Sequence, residues 1–521
     1  MRSDRWLAYA MGLALSMLQA LLSLGSPAEA ASPRALEGVL TVVWGDPRGA
    51  HHGGHLRFDL ALPDGRRIPL DIPADDRSAA VTHSGERVRI FGDVATAPAR
   101  EGRFAVARIE RLAGSETSAA AAGRGIGVKR ILFILLRFKG DRQTPHRPAF
   151  YRALTEPKNP DASLGLPSTI NGFFASASWN KLQFRADIVG VGGLAATDWL
   201  TLPGTKLDYA PCGWDGACAN TYAIEKDALA LVRATGVNIA AYDLLTFTLA
   251  NDLDCCAWGG STYDSATAKA YGATWQPPWS QQPSTYVHEL GHAIGLPHSG
   301  WRYYAYDSPW DEMSQGAPTL SEPCGRYYSF NDAAARRIYC SDTGGGYITP
   351  HKRALGWLPD AAEFVFDRRS TRIVFLEAAG LPLGTGKKMI RICIPDEPCS
   401  GPAAHYLAAE ARLTEFGSDG GLPGDGVLIH DVRMNRHSIG IGDPCFFNAQ
   451  SGWAVPIDAR PGDWNAAPQC NALGHTYPDV GLFNAQFTAG TKLDLLQRWG
   501  LMVEVGDRAP TGYAVKVTRT R

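Results

Sequence analysis

An α+β architecture is predicted for this chain, with a central unit of mixed strands and helices between two β-rich units. Three observations predict it. Both ends alternate apolar and polar residues with the period of two that a half-buried strand needs, between Gly, Pro and Asp turns. The middle mixes strand-like runs with stretches of helical periodicity. Finally, 56 glycines, 34 prolines and 14 tryptophans in 521 residues suit a loop-rich, β-rich protein, and that length suits two or three domains.

Residues 1–30 read as a secretory signal. Arg2 and Arg5 give a positive start, Trp6 to Leu24 is mostly apolar, and Ala28-Glu29-Ala30 is a small-x-small cleavage site that sets a mature start at Ala31. An uncleaved membrane anchor is the competing reading, and Ser16, Gln19 and Ser23 interrupt the run it would need. Secretion to the extracellular space, or to a periplasm, follows. No later stretch is apolar for the ~18 residues a membrane span needs. A net charge of −1 gives no field to attract nucleic acid or an acidic membrane.

Residues 31–113 form the first β unit. Val39-Leu40-Thr41-Val42-Val43-Trp44, Leu56-Arg57-Phe58-Asp59-Leu60, Val88-Arg89-Ile90-Phe91 and Phe104-Ala105-Val106-Ala107-Arg108-Ile109 are its strands. They fit a small barrel or sandwich. Residues 114–125, rich in Gly, Ser and Ala, read as a linker. A β unit and linker ahead of a catalytic unit suggest a propeptide cut near Arg124; a permanent accessory domain is the alternative. His51, His52 and His55 lie in a glycine-rich loop and are better explained by exposure than by a metal.

Residues 126–360 form the central unit. Arg130 to Phe138 is a buried strand, Ser168 to Ala177 a helix, Tyr222 to Thr235 a helix stopped by Gly236, and Asp243 to Leu249 another strand. Ala268 to Ala273 is expected to be the edge strand. The chemistry is concentrated in His288-Glu289-Leu290-Gly291-His292-Ala293-Ile294-Gly295-Leu296-Pro297-His298. Residues four apart on a helix share one face, so His288 and His292 can offer nitrogens to one ion about 2.0–2.1 Å away. Ser284 or Thr285 can cap that helix. Gly295 allows a sharp exit from it, and Pro297 prevents its continuation, so His298 can swing back as a third ligand. Three protein ligands leave an open position, the catalytic arrangement for zinc. Glu289, next round the helix, is placed to act as general base on a bound water. Structural histidines are the bland alternative, and Gly295 and His298 at these offsets weigh against it.

Met313, in Asp311-Glu312-Met313-Ser314, is one of seven methionines. Alone it would be core filler. After this zinc pattern it reads as an apolar floor beneath the ligands.

The histidine run, Met313 and His351-Lys352-Arg353-Ala354-Leu355-Gly356-Trp357-Leu358 together resemble the metzincin zinc metallopeptidases, in particular the gametolysin-like branch. The Leu-Gly-Trp-Leu stretch, and Tyr406 to Arg412 with Gly421 to Ile429, are also similar to immune-inhibitor-A-like metallopeptidases. The resemblance implies a metzincin-type domain, a mixed twisted sheet plus active-site helix, that takes extended peptide or protein substrates on its edge strand. One catalytic Zn2+ is implied, and the family also admits Ca2+, although no EF-hand-type loop occurs. Many relatives carry a tyrosine two residues after the methionine; here that residue is Gln315. Some metzincin propeptides use an Asp after Gly to keep the zinc latent. Trp44-Gly45-Asp46 and Phe91-Gly92-Asp93 have that order, and ordinary turn chemistry accounts for both.

Residues 361–521 return to strands, around Arg372 to Leu376, Met389 to Ile392, Val427 to Val432 and Tyr513 to Val517, and suggest a β-sandwich that docks on the central unit or binds a surface. His405, His430 and His437 have no ligand spacing. Ten cysteines fit an oxidising compartment. Spacing suggests Cys212–Cys218, Cys324–Cys340, Cys393–Cys399 and Cys445–Cys470, leaving Cys255 and Cys256 as a vicinal pair; cross-links from those two to Cys212 and Cys218 are the alternative. The function expected is a secreted zinc metalloendopeptidase. A zinc hydrolase of other esters or amides, or a surface-binding protein with minor protease activity, are its rivals.

Overall fold

The computed structural model describes residues 34–47, 55–73, 76–94, 102–112, 125–156, 169–213, 216–299, 308–314, 345–435, 453–457, 459 and 485–521. The signal sequence, His51, His52, the linker from 114 to 124, Gln315, His437, Cys324–Cys340 and Cys445–Cys470 lie outside the described residues.

Five strands open the chain: β1 (Arg34–Pro47), β2 (His55–Ala61), β3 (Arg67–Asp71), β4 (Arg87–Val94) and β5 (Phe104–Arg111). They pair in the circular order β1-β2-β3-β5-β4-β1, so they close a barrel. A short helix, α1 (Arg77–Thr82), lies between β3 and β4. Of the small barrel or sandwich expected for this unit, the barrel is what forms. Leu40, Val42, Leu60, Val88 and Ile90 fill its interior. Closure removes the free edges that sheets otherwise expose.

The central sheet holds β6 (Gly127–Arg137), β7 (Leu182–Val189), β8 (Leu200–Thr201), β9 (Leu244–Leu249), β10 (Cys256–Asp264) and β11 (Lys269–Gln276). Its main path is β10-β11-β9-β6-β7, all parallel except the antiparallel β10–β11 pair. The apolar stretch Ile131–Leu136 of β6 and the whole of β9 are buried on both sides, as parallel strands covered on two faces must be. One face carries α2 (Pro148–Thr155), α3 (Ile170–Ala177) and α5 (Pro283–Ala293). The other carries α4 (Thr221–Ala234). Helix α4 ends as expected at Gly236, whose φ of 81° only glycine adopts freely.

One expectation is corrected here. From Lys269 on, the stretch Ala268–Ala273 belongs to β11, which is hydrogen-bonded on both sides and is not an edge. The edge of the central sheet is β10, and it is covered: the last residues of β1 pair with it, Val43 opposite Gly260 through Pro47 opposite Cys256. The barrel is therefore joined to the central sheet as one eleven-stranded sheet. A glycine pair in β10 weakens its strand-like pattern, which hid it from the sequence.

After α6 (Thr349–Ala354) come β12 (Glu363–Phe366), β13 (Ser370–Glu377), β14 (Met389–Cys393), β15 (His405–Arg412), β16 (Gly426–Arg433), β17 (Ala454–Pro456), β18 (Lys492–Leu495), β19 (Leu501–Ala509) and β20 (Gly512–Arg519). A five-stranded sheet, β12-β14-β15-β16-β17, faces a four-stranded one, β13-β20-β19-β18, across a shared apolar core. This unit docks on the central one. Arg412 is fully buried and donates to the carbonyls of Trp310 at 2.8 Å and Gly346 at 3.0 Å. Its charge is answered by Asp419 at 2.6 Å and Glu410 at 3.4 Å, which a buried guanidinium requires. Disulfides join Cys212 to Cys218, Cys255 to Cys256 and Cys393 to Cys399. No helix among the described residues is long and apolar enough to cross a membrane.

His430 is buried under this junction, and its burial pushes the imidazole down to about 3, against the pull of Asp311. Unfolded, it would take a proton near the ordinary imidazole value of 6.5. Between those values the unfolded chain binds more protons than the folded one, so stability falls as pH falls through that window. His430→Gln is expected to flatten the acid limb of stability between about pH 6.5 and 3, read as denaturation midpoints at stepped pH; an unchanged slope would show that other groups set it.

Candidate metal centre and the strand that covers it

Helix α5 begins at Pro283, with Gln282 at its N-cap and no side-chain cap bond, so neither Ser284 nor Thr285 caps it. Proline at the first helical position supplies the helical φ without wasting an N–H. The helix stops at Ala293, and Gly295 turns the chain at a φ of 108°. That turn brings His298 back to His288 and His292. The Nε2 atoms of His292 and His298 are 3.1 Å apart.

The ring orientations are held from behind. A carbonyl can only accept, so the Nδ1–H of His288 donates to Glu312 at 2.6 Å and that of His292 donates to Leu296 at 2.7 Å. In the neutral rings both Nε2 atoms then present lone pairs to the same point, the usual outer-shell device for a metal-binding imidazole. Met313 is completely buried below. A Cβ on Gly291 would come within 2.3 Å of its sulfur, so glycine lets the helix settle on the methionine. The Met313 carbonyl accepts from the N–H of Ser299, next to the third imidazole.

A fourth group completes the cluster, and sequence reasoning set it aside as part of a turn. Asp46 is in β1, not in a turn, and its carboxylate lies 3.4 Å from His288 Nε2, 3.3 Å from His292 Nε2 and 2.9 Å from His298 Nε2. All four ligand atoms lie within 4.8 Å of one another and all four residues are buried. Ligands bound tetrahedrally at 2.0–2.1 Å stand about 3.3–3.4 Å apart. The measured separations fit that shape, and the group can hold a metal ion. Two other clusters, His55 with Cys255 and Cys256, and Cys212 and Cys218 with Asp254, have similar spacing. Their sulfurs are tied in disulfides and so supply no thiolate.

Electrostatics reflect this crowding. Burial opposes the charge on Asp46, but His298 and His288 hold its carboxyl well below the usual range. Burial drives His292 down to about 3 and also lowers His298. Burial would lower His288 too, but the hydrogen bond and charge of Asp46 outweigh it and raise that ring. Glu289 is pushed well above its ordinary value by burial and then by the Asp46 carboxylate facing it.

Three further contributors carried no signal in the sequence. Asp311 accepts from Ser299 Oγ, from the Ile348 N–H at 3.2 Å, and pairs with His351 Nδ1 at 2.9 Å, so it ties the ligand loop to α6. Trp44 stacks on His292 with ring centroids 5.0 Å apart, and meets His298 edge-on. Gly259 in β10 lies against the α5 backbone: a Cβ there would come within 2.5 Å of the Glu289 carbonyl and 2.6 Å of its Oε2. The bare glycine is what makes room for Glu289.

Gly259→Ala is expected to destabilise the chain by about 1–3 kcal/mol, the usual cost of overpacking against a fixed backbone. An unshifted midpoint in chemical denaturation would mean that β10 gives way freely. No family model matches the sequence, and a search of curated proteins finds no match to it.

Proposed function

We propose that the chain is a secreted zinc-dependent metalloendopeptidase of metzincin type, with His288, His292 and His298 as ligands, Glu289 as general base and Met313 as the floor. The observation that carries this reading is the convergence of three Nε2-presenting imidazoles with a buried carboxylic acid on the adjoining helix position. The donor set is all nitrogen and oxygen in tetrahedral spacing, which suits zinc. When bound, zinc polarises a carbonyl and lowers the pKa of water to roughly 7.

The chain's own residues supply the rest. Glu289, next to His288 on α5, takes the proton from the attacking water and returns it to the leaving amine. The strand β10 offers main-chain groups to an extended peptide, which aligns the scissile bond over the centre with few side-chain rules. Met313 and Asp311 keep the ligand loop and helix at fixed distance. Extracellular proteins and peptides are the substrates, in keeping with the signal-like start and the disulfides.

The test replaces Glu289 by Ala in a chain that also carries Asp46→Ala, so that the covering carboxylate does not mask the comparison. Metal content should stay near one per chain, and casein cleavage should fall by on the order of 10²–10⁴. Retained cleavage would remove Glu289 from the mechanism. Turnover of small esters with no cleavage of proteins would move the chain to the non-peptidase hydrolases.

A further inference from the structure

We propose that the sheet beneath α5 holds ordered water behind Glu289, in a site made by Thr246, Thr274 and Gln276, and that Thr274 is thereby a positioning residue for that carboxyl group. The role given to Glu289 rests on the metallopeptidase reading. The water site does not.

The sequence puts polar residues where strands covered on two faces ordinarily carry apolar ones. In β9, Leu245, Phe247 and Leu249 join the core on the α4 side, so Leu244, Thr246 and Thr248 point to α5. In β11, Tyr271, Ala273 and Trp275 take the α4 side, which leaves Gly272, Thr274 and Gln276 toward α5. Register sets Thr274 opposite Thr246, Gln276 opposite Thr248, and Gly259 of β10 opposite Thr274. A block of four polar side chains thus lies under the metal-binding helix, and all four are completely buried.

Part of the block is paired. Thr248 Oγ1 meets Tyr286 Oη of α5 at 3.3 Å, and Gln276 Oε1 accepts from Ser280 Oγ at 2.7 Å. The rest is not: Thr246 Oγ1, Thr274 Oγ1 and Gln276 Nε2 have no hydrogen-bond partner among the described residues. A buried hydroxyl or amide left so forfeits the bonds it makes to water in the unfolded chain. The chemistry of the set selects its ligand. Two hydroxyls that donate or accept and one amide that donates, with no net charge, suit water over a cation or an anion.

Glu289 is the next group along. The place a Cβ of Gly259 would take is 2.6 Å from Glu289 Oε2. Directly opposed residues of an antiparallel pair have Cβ atoms about 4.5–5.5 Å apart, so Thr274 stands about one water away from the carboxyl group. No N–H or alcohol O–H of the described residues donates to Glu289. Water held by Thr274 supplies that missing bond and fixes the orientation of the carboxyl group, which a general base needs in order to meet the proton it takes.

The experiment uses the full chain. A crystal structure that resolves ordered solvent should show water bonded to Thr274 Oγ1 and to Thr246 Oγ1 or Gln276 Nε2. A dry site would overturn the proposal. Thr274→Val removes the hydroxyl and should expel that water, whereas Thr274→Ser should keep it. Casein cleavage is then followed in the Asp46→Ala chain. There Thr274→Val should lower kcat about tenfold or more with KM and metal content unchanged, and Thr274→Ser should restore it. Equal kcat with and without the hydroxyl would overturn the positioning role. An Asp46→Ala chain that cleaves no casein yet holds the water would sink the peptidase reading, and the positioning role with it, and leave the water site standing.

Discussion

Lone pairs on neighbouring atoms repel, and this fold forces them together. With Nδ1 of His288 and of His292 committed to carbonyls, their Nε2 atoms turn electron density toward a common point, and His298 Nε2 stands only 3.1 Å from that of His292. A cation at that point, or a proton shared between His298 Nε2 and the Asp46 carboxylate 2.9 Å away, relieves that repulsion. The convergence on this one point organises the surrounding structure.

Much of the packing can be traced to it. The helix α5 must lie close to the sheet, and two strand glycines permit this: Gly259 beside Glu289 and Gly272 beside the Ala293 carbonyl. It must also rest on Met313, which Gly291 permits. The loop after His298 is held by Asp311, whose second partner, His351, is on α6. That helix in turn meets Glu410 of the C-terminal unit through the Thr349 N–H at 2.8 Å. The C-terminal sandwich thereby stabilises the floor of the centre through hydrogen bonds, although it supplies no ligand among the described residues. Its docking was one of two readings open in the sequence, and the buried Arg412 network is the physical reason for it.

What the sequence made legible was local. The convergence of His288, His292 and His298, the turn at Gly295 and the placement of Met313 follow from spacing within one short stretch, because helix geometry fixes which residues share a face. The strands of the two β units were legible for the same reason, through period-two alternation. What stayed hidden was long-range. Asp46 follows glycine and so reads as a turn; its partners lie far along the chain, and nothing near it signals them. The edge strand was misplaced because Gly259 and Gly260, which weaken the strand signal in β10, are the residues that close approach demands: a Cβ on Gly260 would come within 2.0 Å of the Val42 carbonyl. Asp311 and His351 are single polar residues, and no periodicity marks a single residue.

The union of barrel and sheet answers two problems at once. A barrel closes its own edges, yet β1 is longer than closure needs: Arg34–Val39 pairs with β4, Val39–Gly45 with β2, and Val43–Pro47 with β10. The excess covers the one central-sheet edge that lies beside the metal-binding cluster. An unpaired edge strand is an aggregation hazard in any newly made chain, and the imidazole cluster lies beside this one. One strand placed antiparallel on β10 covers both. It also couples them, because the main-chain pairs that protect the edge are what aim Asp46 at the imidazoles. Withdrawing the carboxylate alone would require a local distortion of β1 against neighbours on both sides, whereas withdrawing the strand opens edge and centre together. The geometry therefore favours release of the barrel as a body over the swing of a side chain.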